Sequence, residues 1–371
     1  MKRPTQELSA VSLFSGAGGM DVGFTAAGYR VLWANDLDPV ACETYKLNHS
    51  SPIVCASLSE NLDLLNGFKG ADVVFGGPPC QGFSVAGKMN PDDERSQLLW
   101  IYLNAVERVQ PSAFVCENVK ALGTLEKWKP VREKFLREAR RLGYRCSFTV
   151  LNASHYGVPQ GRERVFFIGI RDGKLPDLSR FFLKFRCKTP TVREAIASLG
   201  RAGTPKNSRI CRAKITLAAT PVMRRTAYAG MLFNGLGRPV KLDGFSATLP
   251  ASMGGNKTPI IDEAALHDGL EPWVDEYHQK LMNGAIPQFG DAPARLRRLT
   301  VDEAIRIQTF PHKYQFAGGT AAIFRQIGNA VPCKLAEVVA RGVSDILKGK
   351  SECDDDCIPT SQQIDFLNGL D

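Results

Sequence analysis

A cysteine at position 80 stands inside the segment Gly76-Gly77-Pro78-Pro79-Cys80-Gln81-Gly82-Phe83-Ser84, directly after the apolar run Ala71-Asp72-Val73-Val74-Phe75. The run is rich in β-branched and aromatic residues and reads as a short buried strand. Two glycines and two prolines then force the backbone out of the sheet. A thiol held where a strand stops, on a stiff Pro-Pro turn, is well placed to be a nucleophile. Most free cysteines are merely small and buried, so the case rests on the neighbours. One is Glu117, in Glu117-Asn118-Val119 at the end of a second strand-like run, Pro111 to Cys116. A carboxyl there is a candidate partner for a ring nitrogen, where a lone acid at a strand end is usually a solvated rim residue. Another is Gln160-Gly161-Arg162-Glu163-Arg164, leading into the strand Val165-Phe166-Phe167-Ile168-Gly169. On an extended chain Arg162 and Arg164 point the same way. Two guanidiniums on one side suit a base carbonyl oxygen and a phosphate, and they would lower a thiol pKa.

These residues need a sheet to hold them. Ala10 to Phe14 reads as a strand, Ser15-Gly16-Ala17-Gly18-Gly19 as a tight turn, and Met20 to about Ala27 as a helix ended by Gly28. Val31-Leu32-Trp33-Ala34 follows as a second strand, with Asp36 just beyond it. This is a βαβ opening whose glycine loop lets a ligand approach a helix N-terminus, and Asp36 is placed to take ribose hydroxyls. A nicotinamide, flavin or S-adenosylmethionine site remains open on these residues alone. The expected fold class is α/β and Rossmann-like, with chemistry gathered outside the carboxyl ends of the strands.

Composition bounds the rest. With 371 residues, 44% hydrophobic and 23% charged, the chain is long enough for one large domain and a smaller one. It carries no apolar run of about 18 residues and no signal-like start, so no membrane role and a cytoplasmic location are expected. Ten cysteines are scattered without a metal-type pattern, and no metal is expected. The net charge of +9 favours a polyanionic partner. From Arg180 to Arg238, Lys184, Arg186, Lys188, Arg193, Arg201, Lys206, Arg209, Arg212, Lys214, Arg224 and Arg225 accumulate against a single acid, Glu194. Such an excess is the footprint of a phosphate-contacting surface. Turn-rich segments around Ser246 to Pro250 and Gly254 to Pro259 follow. Arg297 to Thr300 opens a helix pattern with Thr300 as N-cap and Glu303 at the capping-box position. A further helix is expected from about Cys333 to Leu347, with an acidic, disordered tail from 349 to 371.

The Pro-Pro-Cys nonapeptide resembles the catalytic signature of the DNA cytosine-5 methyltransferases, and further blocks in matching order extend the likeness over most of the chain. Phe14-Ser15-Gly16-Ala17-Gly18-Gly19 is similar to that family's first motif, and Phe324-Arg325-Gln326-Ile327-Gly328-Asn329-Ala330-Val331-Pro332 to its last. The resemblance implies S-adenosyl-L-methionine as cofactor, with Phe14 on the adenine and the glycines making room for the methionine part. It further implies Asp36, Leu37 and Pro79 among the cofactor-binding residues, with Asn329 near the methionine end. Asp36 stands where the family usually has Glu, and Ser57-Leu58 where it usually has an Asp-Ile pair at the adenine. For the target base it implies Cys80 attacking C6 of a flipped cytosine, Glu117 at N3 and the exocyclic amine, Arg164 at O2 beside Arg162, and Asn118 bracing the cysteine loop. The polar stretch after Cys80 then becomes a closing loop that brings Gln81, Ser84, Lys88 and Arg95 to double-stranded DNA. The implied plan is a catalytic domain over residues 1–170, a target-recognition domain over 171–295 carrying Arg224, Arg225 and Lys257, and a return segment over 296–348. A monomeric modification enzyme paired with a restriction endonuclease is the expected biology. A tRNA cytosine-5 methyltransferase and a non-catalytic DNA-binding relative are the alternatives; the long basic region favours DNA, and intact Cys80, Glu117 and Arg164 favour catalysis.

Overall fold

The computed structural model describes residues 7–79 and 97–350. Cys80, Gln81, Ser84, Lys88, Arg95 and the acidic tail from 351 lie outside the described residues.

The chain opens as β1 (Leu8–Leu13), α1 (Gly19–Ala26) and β2 (Tyr29–Asp36). Asp38 then caps α2 (Pro39–Asn48), its carboxylate accepting from the amides of Val40 and Ala41, with Pro39 in the first turn, where a missing N–H costs nothing. β3 (Ile53–Cys55), β4 (Val73–Gly76), α3 (Gln97–Val109) and β5 (Ala113–Val119) follow. Next come α4 (Lys120–Thr124), α5 (Lys129–Arg141), β6 (Arg145–Asn152), β7 (Gln160–Gly161) and β8 (Glu163–Ile170). All but β7 join one sheet in the order β3-β2-β1-β4-β5-β8-β6. Only β8 runs against its neighbours.

From β1 the chain winds outward through β2 and β3, then crosses back to β4 and builds the other half. β1 and β4 are therefore the switch point, and the crevice beyond their carboxyl ends is where such sheets bind ligands. Both the glycine turn after β1 and the Pro-Pro turn after β4 open there. The central strands are covered on both faces, which explains the unbroken apolar run Val73-Val74-Phe75. One face packs on α1 and the C-terminal helix, the other on α3 and α5.

The second half supplies α6 (Leu178–Phe181), α7 (Val192–Ile196), β9 (Thr216–Val222), β10 (Met231–Phe233), β11 (Ser246–Ala247), β12 (Ile260–Asp262) and α8 (Glu263–His267). α9 (Trp273–Met282), β13 (Gly290–Asp291), β14 (Leu296–Arg298), α10 (Val301–Ile307), α11 (Thr320–Asn329) and α12 (Cys333–Leu347) complete it. The capping box at Thr300 and Glu303 forms as the sequence implies. Arg297 and Arg298 instead belong to a strand, paired with β12, so the helix begins only after the cap.

Two expected boundaries do not coincide with breaks in the core. Leu178, Phe181 and Phe182 lie beyond residue 170, yet they bury with α12 against the large sheet. On the other side of residue 295, Leu299, Ala304 and Phe324 share one core with Val192, Leu242 and Ile261. The sheet β10-β9-β13 and α9 contribute Leu217, Phe233 and Tyr277 to a further small core, joined by Ile260 of β12 and Leu296 of β14.

Candidate active site

The glycine turn is tied to β2. Phe14 adopts φ 52°, a conformation that costs energy for a bulky residue and marks the sharp exit from β1. Ser15 donates from its amide and its hydroxyl to the Asn35 carbonyl at 2.9 and 3.1 Å. The Gly16 amide donates to Asp36 Oδ2 at 2.7 Å, and Asp38 N donates to Asp36 Oδ1 at 2.8 Å. Burial raises the Asp36 pKa against these two amides, which pull it down. Each carboxylate oxygen keeps a lone pair, so Asp36 fixes the loop and still has an acceptor to offer. Leu37 beside it is 69% exposed, an apolar side chain presented to the crevice end of β2.

The expected roles of the glycines divide. Gly16 has open space where a Cβ would stand, as a ligand-facing glycine should. Gly18 and Gly19 make room for protein instead. A Cβ on Gly18 would overlap the His49 ring and lie 2.8 Å from the Tyr314 hydroxyl; one on Gly19 would lie 2.8 Å from the Val331 carbonyl. These two glycines are where the return segment docks on the turn. At the Ser57–Leu58 position, Leu58 is 3% exposed and packs into the core. The Ser57 hydroxyl pairs with that of Ser59 at 2.7 Å.

Across the switch point, β4 and β5 lie side by side, which brings the Pro-Pro turn against Glu117. A Cβ on Gly77 would come within 2.7 Å of Glu117 Oε2. The Asn118 amide donates to the Pro78 carbonyl at 3.1 Å, fixing the turn, and its Oδ1 accepts from Val119 N at 2.9 Å. Pro79 is exposed at the last described position before the cysteine. Arg164, on antiparallel β8, reaches Glu117 Oε1 through Nε at 2.9 Å. Burial nonetheless leaves Glu117 above its ordinary pKa, opposed by Arg164 and then by Arg162. The site therefore holds a carboxyl that retains its proton further up the pH scale than a free one.

Arg162 does not serve as its spacing suggests. It is 1% exposed, and its guanidinium donates to the carbonyls of Leu249 at 3.3 Å, Gly328 at 3.0 Å and Asn329 at 3.5 Å. Its two terminal nitrogens are thus engaged with main chain, and its positive charge also lowers the Glu117 pKa. The strand breaks between β7 and β8 at Arg162, so the simple alternation with Arg164 fails. Gln160 shares this fastening role: fully buried, it donates to Gln308 Oε1 at 2.6 Å and accepts from Leu249 N at 3.1 Å. Gln308 in turn donates to the Ala330 carbonyl. Asn329 is exposed at the end of α11, beside the Ala330–Val331 segment that packs on Gly19.

This crevice therefore sets a glycine turn with an acid partner beside the Pro-Pro turn, a proton-retaining Glu and an Arg. The same blocks are matched by a single family model, C-5 cytosine-specific DNA methylase, over residues 8–345. The chain belongs to the C-5 cytosine-specific DNA methylases. Similar curated proteins include the type II methyltransferase M1.HphI of Haemophilus parahaemolyticus, 32% identical over 355 residues that cover 91% of this chain and 86% of that protein. The type II methyltransferase M.MthTI of Methanothermobacter thermautotrophicus is 32% identical over 360 residues, covering 92% and 98%. Two solved structures share the fold. An E. coli protein encoded within a prophage superposes with TM-score 0.66 at 24% identity, covering 92% of this chain and 99% of its own. The Dnmt2 methyltransferase of S. pombe gives 0.64 at 18%, covering 93% and 100%.

As a cytosine-5 methylase, this chain is a DNA (cytosine-5-)-methyltransferase that uses S-adenosyl-L-methionine. The crevice residues fit that cofactor: a Gly16 with open space beside it, the Asp36 carboxylate and the exposed Leu37 lie together at the carboxyl ends of β1 and β2. Among the described residues there is no cluster able to hold a metal ion and no helix long and apolar enough to cross a membrane. Arg224, Arg225 and Lys257 are exposed and form no ion pair among the described residues. The basic stretch as a whole is less free. Lys184 meets Asp345 at 3.0 Å, Arg193 meets Asp243 at 2.6 Å and Lys214 meets Asp291 at 2.8 Å, while Arg201 and Arg209 pair with Asp268 and Asp302.

Sequence reasoning missed a buried polar cluster behind the glycine turn. Asp21, 0% exposed, accepts from the hydroxyls of Ser12 at 3.0 Å and Tyr45 at 2.9 Å, and burial pushes its pKa up to about 7. His49, stacked on Tyr45, meets the Tyr314 hydroxyl at 2.8 Å, and Tyr314 donates to the Ala17 carbonyl. Burial lowers His49 to about 4, so it is neutral at pH 7. An acid inside an otherwise apolar helix face was the available signal for Asp21.

Proposed function

We propose that this enzyme methylates C5 of a cytosine flipped out of a specific duplex sequence, through a covalent bond between Cys80 and C6. The observation that carries the reading is the contact set around the Pro-Pro turn: Gly77 against Glu117, Asn118 on Pro78, and Arg164 on Glu117. Cytosine C5 is a poor nucleophile until electrons enter the ring. The Cys80 thiolate adds to C6 while Glu117 hydrogen-bonds or protonates N3, so the C5–C6 double bond becomes an electron-rich enamine. Arg164 keeps Glu117 aimed and is the candidate donor to the cytosine O2. Bound S-adenosyl-L-methionine supplies the electrophilic methyl group. A base then takes the C5 proton, the C6–S bond breaks, and the Cys80 thiolate leaves as the double bond returns. Burial of the target carbon within a stack requires that the base be extruded first.

Phe14, Ser15, Gly16, Asp36, Leu37, Pro79 and Asn329 are the residues we assign to the cofactor, with Gly18, Gly19 and Arg162 as positioning residues. The enzyme would act as a monomer in the cytoplasm, on nucleoid DNA, as the modification partner of a restriction endonuclease. The type II methyltransferase names of its relatives support that biology. The test is Cys80→Ser with labelled cofactor and duplex DNA. Cofactor affinity should stay at the wild-type value and turnover should vanish; a variant that still turns over removes the mechanism.

A further inference from the structure

The glycine turn after β1 needs its shape held from outside. Phe14, Gly16 and Gly18 all sit at positive φ, at 52°, 53° and 79°. Such backbone persists only where the surroundings fix it, above all at a bulky residue like Phe14. Ties come from two sides. From β2, the Asn35 carbonyl accepts from Ser15, and the Asp36 carboxylate accepts from the Gly16 amide at 2.7 Å. From the return segment, the Tyr314 hydroxyl donates to the carbonyl of Ala17, the residue next to Gly16. That donation uses the single hydroxyl proton. His49 Nε2, 2.8 Å from the same oxygen, is therefore the donor to it. Burial keeps His49 neutral at pH 7, and a neutral imidazole with its proton on Nε2 supplies this bond.

Tyr314 is itself set in place by α2. The Asn48 side chain donates to the Gln315 carbonyl at 2.7 Å and accepts from the Gln315 amide at 2.9 Å, as a neighbouring strand would. Thr44 Oγ1, one helical turn earlier, accepts from the Ala317 amide at 2.9 Å. The Tyr314 ring packs on Phe310 and Phe316, with centroids 4.8 and 5.3 Å away. One hydroxyl is thereby aimed at one carbonyl. α2 braces the turn from both its ends, since Asp36 bonds to Asp38 at its N-cap and His49 stands at its C-cap. Gly16, the turn residue with open space at its Cβ position, lies between the two ties.

We propose that Tyr314, backed by His49, is a positioning residue for the cofactor: its hydroxyl holds the Ala17 carbonyl and so keeps the Gly16 turn in its binding shape. The proposal rests on the assignment of that turn to S-adenosyl-L-methionine. Without the bond the turn visits other shapes, and affinity falls with the fraction of molecules that remain competent. The experiment is calorimetric titration of the full chain with S-adenosyl-L-homocysteine, beside thermal melts and steady-state kinetics. Tyr314→Phe keeps the aromatic packing and should weaken binding about tenfold. Its KM for the cofactor should rise in step, with kcat at saturating cofactor within about twofold of wild type. His49→Leu should weaken binding by about threefold, while His49→Gln, which keeps an N–H at that reach, should restore it. The double variant Tyr314→Phe, His49→Leu should bind no more weakly than Tyr314→Phe alone, because His49 acts through the hydroxyl. A Tyr314→Phe protein with a lower melting temperature but wild-type affinity overturns the proposal, since the bond is then structural alone. Additive losses at Tyr314 and His49 overturn the link between them. Asp36→Ala separates the two readings. If that variant binds as wild type does, the turn is not the cofactor site; if it loses binding while Tyr314→Phe does not, only the role of Tyr314 falls.

Discussion

In the crevice of the large sheet, Glu117 meets a partner that the strand order sets beside it; in the second half, Arg209 meets one brought from far along the chain by packing. Glu117 and Arg164 lie on adjacent strands, and the pair works at the end of both. Arg209 and Asp302 are 93 residues apart in sequence, as are Asn207 and Thr300, whose side chains also bond. The lesson concerns what a charge count means. A motif at a strand end keeps its local meaning, because the sheet fixes where strand ends go. A run of basic residues does not, because the acids that neutralise it come from elsewhere.

The same contrast appears within one pentapeptide, and it can be broken experimentally. Glu117→Gln keeps the size and a hydrogen-bonding group but cannot give a proton, so turnover should fall about 10²- to 10⁴-fold. Because burial holds Glu117 above its ordinary value, wild-type turnover should also decline as pH rises through that raised pKa, a limb that the Gln variant lacks. A pH–rate profile with the same limb in both proteins would exclude Glu117 as its source. Next in size, Arg164→Ala should lower kcat roughly 10²-fold with cofactor affinity nearly intact. Arg162→Met should do the reverse, losing roughly 2–5 kcal/mol of stability in urea melts as buried carbonyls lose their donor. If the two variants behave alike, the division between a reacting and a fastening arginine is wrong.

A smaller effect sits behind the glycine turn. Burial raises Asp21 to about 7 from 3.8, so the folded chain holds a proton that the unfolded chain has already released above pH 4. Stability from this carboxyl is complete below pH 4 and is lost as pH rises to 7. Asp21→Asn should therefore be more stable than wild type at pH 8, by up to about 4 kcal/mol, with the difference gone near pH 4. Equal urea midpoints at pH 8 would count against the buried acid. The smallest effect tests the charge lesson directly. Lys214→Gln and Arg209→Gln, which remove paired cations, should leave the salt slope of DNA binding unchanged, whereas Arg224→Gln with Arg225→Gln should lower it.

Much of the site was legible in the sequence, for reasons that are physical. Only glycine and proline make the turns after β1 and β4, and an acid or an arginine at a buried strand end needs a partner or a task. The capping box at Thr300 and the helix Cys333–Leu347 were legible because their signals are local. What escaped depends on distant packing. Gly18 and Gly19 serve His49, Tyr314 and Val331; Leu58 turns into the core; Arg162 reaches carbonyls from Leu249 to Asn329. None of these contacts has a signature at the residue itself. The sharing of one core across residue 170 escaped likewise, since Phe181 and Phe182 look like any apolar pair until α12 packs on them.

The central claim is that this crevice delivers a methyl group to C5 of cytosine in duplex DNA through Cys80. Tritium-labelled S-adenosyl-L-methionine should be offered with duplex DNA and with total tRNA in parallel, using wild type and Cys80→Ser, and the product mapped by bisulfite sequencing. The account predicts label in DNA only, as 5-methylcytosine at one short recurring sequence, and none from the variant. Label in tRNA alone, or label in DNA from the Cys80→Ser protein, would contradict it.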